Sequence, residues 1–361
     1  AEFAWIIVVI PLALHLARRD SVYAPRVFRL WLIFLGWAFF SVFSAGGGYY
    51  MLTVYVAATI LFLYVFNAQV DELPDSVLVR VLALTWAILV LGGLLGIVLG
   101  PTEFPSLGAT IVNPEAETWL DYVTRVQFGD PQEGLLGIWD SRPKGFTPFT
   151  NHWGSAFVIL LPAVGIVRLQ LERGRLSRLM DVMVAASVVP FIVSRNRWAW
   201  LSLILVFLYL IARTWRPHPY VGRALLGVLA GFVVIVMVSP LATIVFDRLE
   251  SEGSEQLRSE MYSQSFEKIE ESPWLGFGQV QYSEDPDTEG LQLGGDSQIL
   301  QTMILHGVPA LVHMVVWLGM ILVTSRRMDT PLNAVTHVAV VVALIQIPAY
   351  DLTPHRLMYL M

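Results

Sequence analysis

Two arginines interrupt the apolar sequence where they could bind a phosphorylated, membrane-held molecule. Arg195 and Arg197 stand between uncharged runs of 13 residues (Val182–Ser194) and 15 residues (Trp198–Ala212). As helices these measure about 20 and 23 Å, short of a hydrocarbon core of about 30 Å. An arginine held below the membrane surface is costly and marks function; the bland role is snorkelling to the interface. A guanidinium fork takes phosphate oxygens two at a time. A third arginine, Arg258, falls in a helical pattern in which Leu257, Met261 and Ile269 recur. Ser254 suits the cap of that helix and Glu255 its first turn. Arg258 shares a face with Tyr262 and Ser265, and its bland role is a surface ion pair with a nearby glutamate. Asp296 ends the same polar stretch where the chain turns apolar again. A poorly solvated carboxylate there suits a general base; the competing role is an N-cap for a helix starting at Ser297. His306 and His313 follow in the apolar run, where a lone histidine usually packs.

The elements that must position these residues are membrane helices. The 361 residues are 55% hydrophobic and 14% charged, against about 25% charged in soluble domains. Segments of about 20 apolar residues recur, so the fold class is an all-α polytopic membrane protein of about ten or more spans. Strand-like alternation is missing, which argues against a barrel. The spans read Phe3–Ala17, two within Leu30–Val70 turning at Gly46–Gly48, Val81–Thr102, Gly145–Val167, Leu179–Ser194, Trp198–Ala212, Ala224–Phe246, Ser297–Ser325 and Thr330–Tyr350, with His355–Met361 beginning another. The chain reads as one membrane domain, 1–361, with two large polar segments, 103–150 and 247–296. It starts without Met inside an apolar run, and both ends are expected to be trimmed. With no cysteine there is no disulfide framework and no thiolate chemistry.

Charge sets the orientation. Alternating the links between two sides puts 14 of the 23 Lys and Arg on one side, including the basic links at 18–29, 168–178, 213–223 and 326–327. That side is cytoplasmic by the positive-inside rule, and both polar segments then face outward. Phe246–Asp296 carries 13 acidic and 3 basic residues, which argues against a nucleic acid partner. The helix bearing Arg258 must stop at Ser272-Pro273. The apolar run Trp274–Gly278 then either dips into the membrane face or makes a turn. Asp285-Pro286-Asp287 has the spacing of a metal-binding pair but reads as a turn.

Four stretches resemble the superfamily of O-antigen ligases and Wzy-type polysaccharide polymerases. They are Arg142 to Asn151 (RPKGFTPFTN), Ser194 to Trp198 (SRNRW), Arg258 with Glu270 to Gly278 (EESPWLGFG), and Gly295 to Gly307 (GDSQIL…HG). The likeness covers roughly residues 140–325. It implies a GT-C-like membrane glycosyltransferase without metal or cofactor, in a bacterial inner membrane. Such an enzyme moves a glycan from an undecaprenyl diphosphate carrier to an acceptor hydroxyl, on a glycan or a lipid-linked acceptor, on the outer side. By this resemblance Arg195 and Arg258 hold the diphosphate. Asp296 stands where the family keeps the histidine that activates the acceptor, which leaves the base open between Asp296 and His306. Arg142, Lys144, Asn151, Arg197, Tyr262, Gln298 and His306 complete the expected substrate contacts. A transporter or flippase of an anionic lipid-linked substrate is the competing class. Carriers often show repeats and matched broken helices, and none is visible here.

Overall fold

The computed structural model of the chain describes residues 4–70, 73–105, 125–135, 139–147, 149–238, 252–285, 288 and 290–350. The helices among them are α1 (Ala4–Ala17), α2 (Phe28–Ala45), α3 (Tyr49–Val70), α4 (Asp75–Leu99), α5 (Thr150–Gln170), α6 (Arg175–Val193), α7 (Arg197–Thr214), α8 (Pro219–Val238), α9 (Glu252–Glu271), α10 (Gln298–Ser325) and α11 (Pro331–Gln346). Seven of them, α2 to α7 and α10, are long and apolar enough to cross a membrane. The shorter α8 and α11 are apolar too, as is α1. Large apolar side chains such as Val98, Leu169 and Val228 point outward. In a bilayer that is the lipid side, because a helix satisfies its own backbone and leaves only side chains to face the acyl chains. The chain is an all-α polytopic membrane protein.

Two expectations need correcting. The apolar runs beside Arg195 are short, but the helices are not. α6 and α7 have 19 and 18 residues, because each continues through polar residues at its far end. Arg168 on α5 meets Asp181 on α6 at 2.6 Å in that polar turn. The 103–150 segment is also not plain loop. Strands β1 (Glu103–Pro105) and β2 (Arg125–Gln127) pair antiparallel, as do β3 (Gly129–Leu135) and β4 (Trp139–Pro143). Such short strands carry no alternation to read. Pro286, Asp287 and residues 351–361, and with them the expected eleventh span, lie outside the described residues.

The second hairpin sits on α4, where glycines admit it. A Cβ at Gly96 would lie 2.3 Å from the Phe128 carbonyl oxygen, and one at Gly93 2.6 Å from the Trp153 ring. Ser141 of β4 donates to the Gly96 carbonyl at 2.9 Å, and Trp153 of α5 donates to Leu89 of α4. Small residues at a helix interface permit this backbone approach. The hairpin register sets Asp130 opposite Arg142.

The polar loop is fastened to a break in α10. Gly307 has φ 77 and ψ 174 inside the helix, and Pro309 follows. Pro309 has no N–H to give the Leu305 carbonyl. The freed backbone groups are met from elsewhere, as buried groups must be. Phe277 N–H donates to Ile304, Gly278 N–H to Leu305 and Val308 N–H to Pro273, each at 2.8 Å. Trp37 of α2 donates to the His306 carbonyl, also at 2.8 Å. Gly276 sits at φ +66, and a Cβ there would lie 2.5 Å from the Leu305 backbone. The Pro273-to-Gly278 run is therefore a fitted clamp and not a bland turn.

Candidate active site

Arg195 sits in the three-residue link between α6 and α7 with φ 50. Left-handed backbone at a side chain other than glycine costs of order 1–3 kcal/mol and clusters at functional sites. Its N–H donates to Ile192, ending α6, and Asn196 then caps α7 by accepting from Ala199 N–H at 3.0 Å. Arg142, carried in by β4, donates from Nε to the Ser194 carbonyl at 2.8 Å. That places a cation at the C-terminal end of α6, where the helix dipole favours it.

These residues line one open cavity of about 120 Å³ with Asn151, Arg197, Trp198, Arg258, Tyr262, Asp296, Ala349 and Tyr350. Four arginines thus face one carboxylate. Three helix starts also reach the cavity. Asn151 lies in the first turn of α5, Arg197 begins α7, and Asp296 stands two residues before α10. Helix N-termini carry partial positive charge and suit anions. The cavity is electropositive by side chains and backbone alike.

α9 brings in Arg258 and Tyr262. Its Met261 and Ile269 pack with Leu293, Leu300 and Ile304, fixing the helix on the start of α10. Leu257, expected on that apolar face, is exposed. The helix runs from Glu252, so Ser254 lies within its first turn rather than before it. It stops at Glu271, as the proline at 273 requires. Arg258 Nε lies 3.6 Å from Asp296 Oδ2, with side chains 44% and 53% exposed. Burial pushes the Tyr262 phenol above its ordinary range; Asp296 adds to this and Arg258 opposes it. Tyr262 therefore stays a neutral hydroxyl that can donate to an oxyanion.

Asp296 departs from the sequence reading in two ways. It is wet, with more than half its side chain exposed. It is also not the cap: Ser297 accepts from Leu300 N–H and takes that role. The carboxylate is thus left to face the cavity and Arg258.

Three expected contacts fall elsewhere. Lys144 is buried against Asp130 at 2.8 Å and donates to Gln127; Asp130 also accepts from Thr150 at the start of α5. Gln298 is buried, with its side-chain amide donating to Thr302 at 2.9 Å. His306 is fully buried under the loop clamp. Ser41 gives its proton to the Leu275 carbonyl at 2.5 Å. Nδ1 of His306 lies 3.3 Å from Ser41 Oγ, and Nε2 lies 3.3 Å from the Tyr55 hydroxyl. The cavity also holds residues the sequence reading passed over: Asn196, Trp198, Ala349 and Tyr350. Asn196 and Trp198 lay inside a quoted motif, whereas nothing near Tyr350 distinguishes it in sequence. Asp285 forms a turn, its carbonyl accepting from Thr288 N–H. No group of three His, Asp or Glu is placed to hold a metal among the described residues.

Fold and cavity together define a multi-pass membrane protein with an anion-attracting cleft at the end of its helices. Residues 182–315 match the family model described as O-antigen ligase. That stretch holds Arg195, Arg197, Arg258, Tyr262, Asp296 and His306, and the match supports the likeness to the superfamily of O-antigen ligases and Wzy-type polymerases. No curated protein matches the chain.

Proposed function

We propose that this chain is a membrane glycosyltransferase that moves a glycan from a polyprenyl diphosphate carrier to an acceptor hydroxyl, as a polysaccharide polymerase or O-antigen ligase. The observation that carries the reading is the cavity itself: four guanidinium groups and three helix starts around one exposed carboxylate, at the end of an apolar helix bundle. The acceptor oxygen attacks the anomeric carbon, and the bond from that carbon to the diphosphate oxygen breaks. The electron pair leaves on the diphosphate, where Arg195, Arg258, Arg142 and Arg197 meet the growing charge. The acceptor proton goes to Asp296, which is within reach of the same space. Fixed positive charge performs here the service a metal performs in other transferases, so no metal is required. The positive-inside rule turns the cavity and the 103–150 and 247–296 segments to the outer face of a bacterial inner membrane.

The test is reconstitution in proteoliposomes with lipid-linked glycan extracted from a strain lacking this chain. Covalent glycan growth, or transfer to a lipid acceptor, with release of polyprenyl diphosphate is expected. Movement of the lipid-linked glycan between leaflets with no new glycosidic bond would replace this reading with a flippase.

A further inference from the structure

The cavity's three helix starts are tied together at one buried pair, Asn196 and Tyr350. Asn196 is 2% exposed. Its Oδ1 accepts both the Ala199 N–H that caps α7 and the hydroxyl of Tyr350. Its Nδ2 donates to the Asn151 carbonyl of α5 at 3.2 Å. α5 passes close by: a Cβ at Gly154 would lie 2.4 Å from Asn196 Nδ2. Tyr350 is buried as well, and its backbone caps α10. Its carbonyl accepts from Gln298 N–H at 3.0 Å, and the Ile347 carbonyl accepts from Ile299 N–H at 3.4 Å. These are the first amides of α10, which have no partner within their own helix.

One hydroxyl therefore links the end of α10 that carries Asp296 to the end of α7 that carries Arg195 and Arg197. We propose that Tyr350, acting through Asn196, is the positioning residue that sets the acceptor-activating carboxylate at its working distance from the arginine wall. The proposal rests on the glycosyl-transfer reading of the cavity. In that reaction the base and the diphosphate site must hold the acceptor oxygen and the anomeric carbon in line. A misplacement of about 1 Å can cost about 100-fold in rate. Neither Tyr350 nor Asn196 need touch the reacting atoms to have this effect.

The experiment compares wild type, Tyr350→Phe, Asn196→Ser and the double variant, purified and reconstituted with the same extracted lipid-linked glycan. Phe keeps the ring and loses only the hydroxyl. Ser keeps the cap of α7 but is too short to hold Tyr350. Each single variant should lower kcat about 10- to 100-fold with KM within about threefold. The double variant should be no worse than the worse single one, since both cut the same link. Thermal unfolding of Tyr350→Phe should stay within a few degrees of wild type. A Tyr350→Phe kcat within twofold of wild type would overturn the proposal. So would multiplying effects, or a rate loss that only tracks lost folded protein. If wild type turns over and Tyr350→Phe matches it, only the link falls. If wild type makes no glycosidic bond, the transfer reading falls and takes the link with it.

Discussion

Two polar sites at the start of α10 lie ten residues apart and have opposite character. Asp296 is open to water, faces Arg258 at 3.6 Å and shares a cavity with three more arginines. His306 is sealed, its two ring nitrogens near Ser41 and Tyr55 and its carbonyl held by Trp37. Either residue was a candidate base from sequence. The difference shows what each polar group is for. A group that must exchange a proton with an incoming hydroxyl needs a path to it, whereas a group that holds a broken helix must be closed in. The wet site assembles residues from β4, α5, the link between α6 and α7, α7, α9 and the segments just before α10 and after α11 around empty space; the dry site fastens the loop clamp to α2, α3 and α10.

That contrast can be broken most sharply at Arg195. Arg195→Lys keeps the charge but not the planar fork. Turnover should fall by about 100-fold or more, the scale of losing one preorganised donor to a developing oxyanion. A well-folded Lys variant with near-normal turnover would return Arg195 to an interfacial role. At the dry site the expected effect is on stability. Gly276→Ala forces a Cβ at positive φ against the Leu305 backbone and should cost about 2 kcal/mol or more, seen as a lower unfolding temperature in detergent. Unchanged stability would mean the clamp is loose. Lys144→Met tests a contact that moved out of the cavity. It leaves Asp130, about one-third exposed, without its cation. A loss of about 1–3 kcal/mol is expected, below the full cost of breaking a buried pair, with turnover per folded molecule little changed. A loss of donor affinity alone would put Lys144 back among the substrate contacts. The smallest effect is expected from excess chelator and from Asp285→Ala, neither of which should change turnover. Loss restored by Mg²⁺ or Mn²⁺ would contradict the metal-free account.

Much of this was legible in the sequence, for physical reasons. Bilayer crossing demands long apolar runs, so the helices were readable to within a few residues. Arg195 and Asp296 were visible because charge at the edge of an apolar run is costly and stands out, and Arg258 because it falls in a helical pattern within the polar stretch. The β-hairpins were not visible, because pairs of three to seven residues leave no period. Ser297 and Asp296 both qualify as caps by type, and only the backbone shows which one takes the amide. Lys144 and Gln298 were expected at the substrate because they neighbour motif residues, yet their side chains turn away to Asp130 and Thr302. Tyr350 was invisible because its partner Asn196 lies 154 residues away along the chain.

The most direct measurement sets the two sites side by side. Asp296→Asn and His306→Gln, purified and matched for folded protein, are assayed for a single round of glycan transfer from the lipid diphosphate donor. Asn at 296 should fold normally and lose about 100-fold or more, the typical contribution of a general base. Gln at 306 should lower the unfolding temperature, at a cost of about 1–3 kcal/mol for disturbed buried hydrogen bonds, and keep its rate per folded molecule within a few fold. The reverse result, a turning-over Asp296→Asn and a folded but inactive His306→Gln, would contradict the account and move the chemistry to the sealed site.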